Sequence, residues 1–294
     1  MNCPFLTETK VRFCQCASVR KLIPSTQGIA SEEKCASSAH ASCAIFREQP
    51  GTAEPSGACP HLRESLMQYC AASPVTRLIP YSESMSSRCI NGNNRYCELY
   101  LTMAHPDLGN EEVDGLPLPG WLRYAANHMW LDDTGDGTCH VGIDAFLCRV
   151  LGSIDDIVFI KKNGRQRPAV VLHSQGLDLE MVFPNEIVVA STNLYLRANP
   201  SRLINEPYTG GWLFEGIADT RTAANLVDGA AAKEWMHEEH RRMNEYLQEC
   251  SGVAADGGMF AEGVAGRLSR SQVLPMFHQF FSPYAGANEN ERKG

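Results

Sequence analysis

Eight cysteines carry most of the chemistry this chain could do, because they recur in step. Shifting the sequence against itself by 56 residues lays CPFLTE at Cys3 on CPHLRE at Cys59, Cys14 on Cys70, and VRKLIP at Val19 on VTRLIP at Val75. With two residues fewer in the second copy, Cys35 then meets Cys89 and Cys43 meets Cys97. Each copy therefore offers four thiols, the number that a tetrahedral zinc site or a four-iron cluster takes. Cys3, Cys14, Cys35, Cys43, Cys59, Cys70, Cys89 and Cys97 are the candidate metal ligands, grouped as four per repeat. Cys16 has Ala72 as its counterpart and is left out of the set. The absence of a C-x-x-C knuckle weighs against a zinc ribbon, and Cys-Pro neighbours iron–sulfur ligands, so two metal centres are expected with iron–sulfur ahead of zinc. The competing readings are that these are small buried apolar residues, or disulfides if the compartment is oxidising.

The elements that would position these thiols read as short amphipathic helices after each Cys-Pro, with Leu6 and Phe13 on one face in the first copy and Leu62, Leu66 and Tyr69 in the second. Pro24 and Pro80 would end or redirect the next segment. The second and third thiols stand too far apart for one turn, so tertiary structure must gather them. Nine of the twelve cysteines precede residue 100, which marks a domain boundary. Abundant unpaired thiols fit a reducing, cytoplasmic setting. At 294 residues the chain has length for about two cores. Its net charge of −8 argues against a nucleic-acid partner, and the lack of an 18-residue apolar run argues against a membrane partner.

After a Gly-, Pro- and acid-rich linker at 105–119 the pattern becomes short strand-like runs. Tyr124, His128, Trp130, Gly135, Gly137, Val141, Gly142, Ile143, Leu151, Gly152 and Val158 come in the order seen at the start of glycine cleavage system H proteins. Asn205, Pro207, Tyr208, Gly211 and Trp212 stand where that family closes with Asn-x-x-Pro-Tyr-x-x-Gly-Trp. Residues 120–217 thus resemble the H-protein family, and the resemblance implies its flattened lipoyl/biotinyl-carrier β-barrel, a single hybrid motif. In that family a lipoyl lysine sits eight residues before a proline. Counting back from Pro184 gives Gly176, with Ser174 at the family's serine and His173 in place of its glutamate. A glycine has no amine to form the lipoyl amide, so no lipoate is expected.

The expected architecture is α+β: a duplicated, mostly helical or irregular cysteine-rich module at 1–104 (repeats 1–48 and 57–104), the linker, the H-like barrel, a helical extension at 218–284 and a disordered tail at 285–294. Met236, Met243 and Leu247 at helical spacing mark the extension. LDDTGDG (Asp132, Asp133, Asp136) lacks the closing glutamate of a calcium loop and reads as a hairpin turn. His237 and His240 lie three apart, unlike a zinc-protease helix, and read as a solvated face. Cys139 and Cys148 read as packing. The expected function is a non-enzymatic adaptor or metal- or redox-responsive protein whose barrel docks a protein partner. The alternatives are an iron–sulfur electron-transfer protein, or an aminomethyl carrier with lipoate on an atypical lysine such as Lys161 or Lys162.

Overall fold

In the computed structural model, the segment after each Cys-Pro is a strand and not a helix: β1 is Leu6–Cys14 and, past the two-residue β2 (Ile23–Pro24) and the short helix α1 (Ala44–Arg47), β3 is Leu62–Cys70. The helical expectation fails because the period of two wins over the period of four. In β1 Thr7, Thr9 and Val11 alternate with the exposed Glu8 and Lys10, and β-branched residues at alternate positions suit a pleated surface. Leu66, placed on the apolar helix face by the other reading, is 52% exposed. β4 (Arg77–Ile79) and the helix α2 (Glu98–Ala104) complete this part. The four strands form one antiparallel sheet in the order β2-β1-β3-β4. In the middle pair, Leu6 faces Cys70, Lys10 faces Leu66 and Cys14 faces Leu62.

The chain divides into two compact units, residues 1–103 and 104–294. The structure describes residues 2–17, 23–24, 34–48, 57–75, 77–79, 89, 93–104, 111–133, 137–160, 164–219, 221–251 and 260–282. Val19, Pro80, Gly135, Asp136, Lys161, Lys162 and the tail from 285 lie outside them.

The second unit opens, within the expected linker, on a hairpin of β5 (Glu111–Val113) and β6 (Leu116–Leu118). Its Val113, Leu116 and Leu118 are buried. Then come β7 (Arg123–Tyr124), β8 (Met129–Asp133), β9 (Thr138–Ile143) and the helix α3 (Ala145–Leu151). Strands β10 (Asp156–Ile160), β11 (Arg165–Gln166), β12 (Ala169–Ser174), β13 (Leu177–Val182) and β14 (Ile187–Thr192) follow. The short helices α4 (Tyr195–Ala198) and α5 (Ser201–Asn205) lead to β15 (Phe214–Ile217).

These strands make a six-stranded antiparallel sheet, β11-β14-β15-β9-β8-β7, and a three-stranded one, β10-β12-β13. The rings of Phe159 on β10 and Phe214 on β15 meet edge to face at 5.5 Å and join the two sheets. Ile157, Val170, Leu172, Met181 and Phe183 fill the space between them.

The long α6 (Gly229–Ser251) buries Met236 and Met243. A 3₁₀ turn at Val264–Arg267 precedes α7 (Arg270–Phe280), whose start is fixed by a Ser269/Gln272 capping box. Among the described residues no helix is long and apolar enough to cross a membrane.

Candidate functional site

Residues 173–178 form the tip of the β12–β13 hairpin. Ser174 faces Leu177, leaving a two-residue turn of Gln175 and Gly176, at φ +52° and +77°. Positive φ at both central residues is what the tight hairpin turn of matching twist requires, and glycine meets it without strain. Gln175 and Gly176 are exposed, and a Cβ on Gly176 would meet nothing within 4 Å. Gly176 therefore has room for a side chain and presents none.

The tip is fastened from below. The Gln175 amide N–H donates to the Asp155 carboxylate (2.9 Å), and its side-chain Nε2 donates to the Leu151 carbonyl (3.2 Å). Ser174 is buried and its hydroxyl donates to the Ser153 carbonyl (2.7 Å). The Gln175 side chain also occupies the space above Gly266, where a Cβ would fall 1.5 Å from its oxygen. Gly266 is held by its neighbours: the Gly263 N–H donates to the Arg149 carbonyl (2.8 Å), and Arg149 Nε donates to the Phe260 carbonyl (2.9 Å). The C-terminal extension thus sits against the hairpin tip.

His173 Nδ1 lies 2.6 Å from Asp178 Oδ1, a cross-strand partner that the sequence reading did not name. The signal was present, since a two-residue turn at 175–176 sets 173 opposite 178. Both side chains are solvent-accessible. Beside the tip, β13 and α7 line a groove of about 310 Å³ through Asp178, Leu179, Glu180, Leu274, Phe277 and His278.

The residues that carried the family likeness are packing and hydrogen-bonding fixtures. Trp130 is fully buried, its indole N–H donates to the Ile143 carbonyl (2.8 Å), and its ring lies where a Cβ on Gly142 would be, at 2.3 Å. The Tyr208 hydroxyl accepts from the Ala145 amide (2.9 Å) and donates to the Pro117 carbonyl (2.8 Å). A Cβ on Gly211 would stand 2.7 Å from the Glu206 carbonyl oxygen.

A family model described as "Glycine cleavage H-protein" matches residues 122–239. The glycine cleavage system H protein of Idiomarina loihiensis is 33% identical over 118 residues, covering 38% of this chain and 89% of that protein. That of Deinococcus deserti is 34% identical over 119 residues, covering 38% and 92%. The chain belongs to the glycine cleavage H-protein family. A crystal structure of a glycine cleavage system H protein from Mycobacterium marinum aligns at 20% identity and a TM-score of 0.34, covering 42% of this chain and 98% of that one. The H-protein match takes in the first half of α6, as far as Glu239, and stops before the segment that contacts the hairpin tip.

That half of α6 brings a buried charge cluster into the H-protein region that no local spacing announces. His128, fully buried at φ +61°, has Nδ1 2.7 Å from Asp144 Oδ2 and Nε2 3.6 Å from Glu239 Oε2. Its ring stacks on Phe146 at 4.3 Å. Burial opposes its charge, but Asp144 and then Glu239 outweigh that and hold its pKa up to about 9. Asp144 also caps α3 through the Leu147 amide (2.9 Å).

His240 corrects the solvated-face expectation. It is 4% exposed, packed near Phe146 and Phe260, with Nδ1 3.5 Å from Asp114. Burial first, and then the charge on His128, lower its pKa, with Asp114 opposing. His237, on the outer side, bonds Asp114 at 2.8 Å. The i, i+3 spacing brings both histidines to the Asp114 turn, but only His240 is buried there, while His237 stays exposed as a solvated face would have it.

All twelve cysteines are thiols outside any disulfide. Cys139 and Cys148 are buried in β9 and α3, and burial pushes the Cys148 thiol up. Of the eight candidate ligands, Cys3 and Cys59 are buried and the others half-buried. The backbone joins Cys3 to Cys89 (N–H to carbonyl, 2.7 Å) and Cys59 to Cys35 (2.8 Å). Both contacts run between the proposed repeats rather than within them. Among the described residues, no group of three or more His, Cys, Asp and Glu side chains stands ready to hold a metal ion.

Proposed function

We propose that this H-protein-like chain carries no lipoate and works as a non-catalytic binding protein. The barrel docks a protein partner, and the cysteine module reports metal or redox state. The observation that carries this is the hairpin tip: a glycine at φ +77° stands at the family's attachment position, and the turn beside it is fastened to Asp155, Leu151 and the extension around Gly266. A swinging arm needs an amine at the tip, and Gly176 has none, while the Gln175 side chain beside it is committed to the protein's own surface. The eight step-matched thiols supply the responsive part.

Intact-mass measurement tests this on the full chain expressed in a lipoylating host beside an H protein that retains its lysine. The expected result is an unmodified chain and a modified control. A lipoyl increment on any lysine of this chain would overturn the proposal, and peptide mapping would then assign the lysine and favour the carrier alternative.

A further inference from the structure

Under the 56-residue offset, the central strand pair of the first unit is its own mate. Lys10 faces Leu66, and Leu66 is the residue that the offset makes equivalent to Lys10. The contacts on either side then come in exchanged pairs. Arg12 bonds Glu64 (2.7 Å), and Gln68, equivalent to Arg12, bonds Glu8, equivalent to Glu64 (2.7 Å). The Gln15 amide donates to the His61 carbonyl (2.9 Å), and the Ala71 amide to the Phe5 carbonyl (2.8 Å). Even the outer strands match, since Arg12 faces Ile23 and Gln68 faces Ile79.

This two-fold exchange decides which thiols are neighbours. The Cys3 amide donates to the Cys89 carbonyl and the Cys59 amide to the Cys35 carbonyl. Cys70 faces Leu6, three residues past Cys3, and Cys14 faces Leu62, three past Cys59. Cys43 and Cys97 each close the same kind of turn, with amides donating to the carbonyls of His40 and Asn94. Burial raises the Cys3 thiol, the Phe5 amide opposes, and the nearby thiols of Cys89, Cys97 and Cys70 raise it further. The cysteines that the backbone and the strand register set nearest Cys3, Cys89 and Cys70, thus come from the other copy.

We propose that the module holds two four-thiolate metal sites, each built from both copies: Cys3, Cys70, Cys89 and Cys97 in one, and Cys14, Cys35, Cys43 and Cys59 in the other. This rests on the metal-responsive function proposed above and replaces grouping by repeat. The backbone sets Cys3 beside Cys89 and Cys59 beside Cys35, and the β1–β3 register puts Cys70 and Cys14 opposite the residues that follow Cys3 and Cys59. Among the described residues the sulfurs do not yet stand as a ligand set, so binding of a thiophilic metal must draw them in as thiolates with release of their protons.

The full-length chain, purified without oxygen, is assayed for zinc and iron and by visible absorption, then stripped and refilled with Co²⁺ alone. Two metal centres per chain are expected. Iron with sulfide and a visible band identifies clusters; zinc, with intense Co²⁺–thiolate bands after refilling, identifies mononuclear sites. Cys3→Ser/Cys89→Ser should lose one of the two centres, and Cys3→Ser/Cys35→Ser should lose both. The reverse pattern would overturn the cross-repeat assignment while leaving metal binding intact, whereas a wild-type chain without metal would overturn the metal reading itself. Should a variant not fold, diamide oxidation of the stripped wild-type chain decides. Cys3–Cys89 and Cys35–Cys59 disulfides support the assignment, and Cys3–Cys35 overturns it.

Discussion

Raising the pH should loosen the H-like unit, chiefly through His128. The imidazole is fully buried between Asp144 and Glu239, with its pKa held at about 9 against 6.5 for an ordinary histidine. The folded pKa exceeds the unfolded one, so the stabilisation is fully present below about pH 6.5 and is lost as pH rises through about 9. That elevation corresponds to about 3 kcal/mol, most of which disappears between about pH 7 and 10. The other titratable groups facing it are His240, which burial keeps neutral, and Asp114 beyond it. All four tryptophans, Trp121, Trp130, Trp212 and Trp235, lie in the second unit, so urea unfolding followed by their fluorescence ignores the thiols of the first. Trp235, with its ring 4.9 Å from His128, also reports the titration directly. His128→Asn keeps the left-handed backbone, which asparagine tolerates, and removes the charge; its stability should fall by less than the wild type's across the alkaline window, the remainder coming from the Cys148 thiol and the Tyr124 and Tyr208 hydroxyls, which burial raises. A wild-type stability that stays flat from pH 7 to 10, or an imidazole that titrates by NMR at or below 6.5, would refute the reasoning.

Three substitutions probe the rest of this unit. Gly142→Ala drives a methyl into the Trp130 ring and should cost about 1–3 kcal/mol by overpacking, read as a lower thermal midpoint. Tyr208→Phe strands the Ala145 amide and the Pro117 carbonyl and should cost about 1–3 kcal/mol, read by urea unfolding. Gly152→Ala combines φ +70° with backbone of Gly263 at 2.5 Å; it should cost about 1–3 kcal/mol and speed hydrogen exchange at residues 260–268, because the extension must lift from α3.

The H-like region was legible because its likeness rests on residues with strict local demands. Trp130 leaves no room for a side chain at 142, and the turn at 175–176 takes positive φ at both positions. Eight residues counted back from Pro184 therefore land on the hairpin tip. The first unit was harder to read. Leu62, Leu66 and Tyr69 fit a helical stripe, and only the pairing of β1 with β3 selects the strand. The thiols keep step along the sequence, but their backbone contacts, Cys3 to Cys89 and Cys59 to Cys35, cross from one copy to the other, which no spacing within a repeat announces. The cluster of His128, Asp144 and Glu239 joins residues 16 and 111 apart, separations that no periodicity marks. In the sequence His128 reads as a family position and Glu239 as part of a solvated helix face, and nothing marks Asp144.

The exchanged register of β1 and β3 says something about ancestry and assembly. A chain ending near residue 56 would hold one central strand without its mate. It could complete the pair by meeting a second molecule of itself, edge to edge across a dyad. Joining the copies in tandem replaces that encounter with an intramolecular one, so the sheet closes at any dilution. Each copy's central strand then finds its partner in the other.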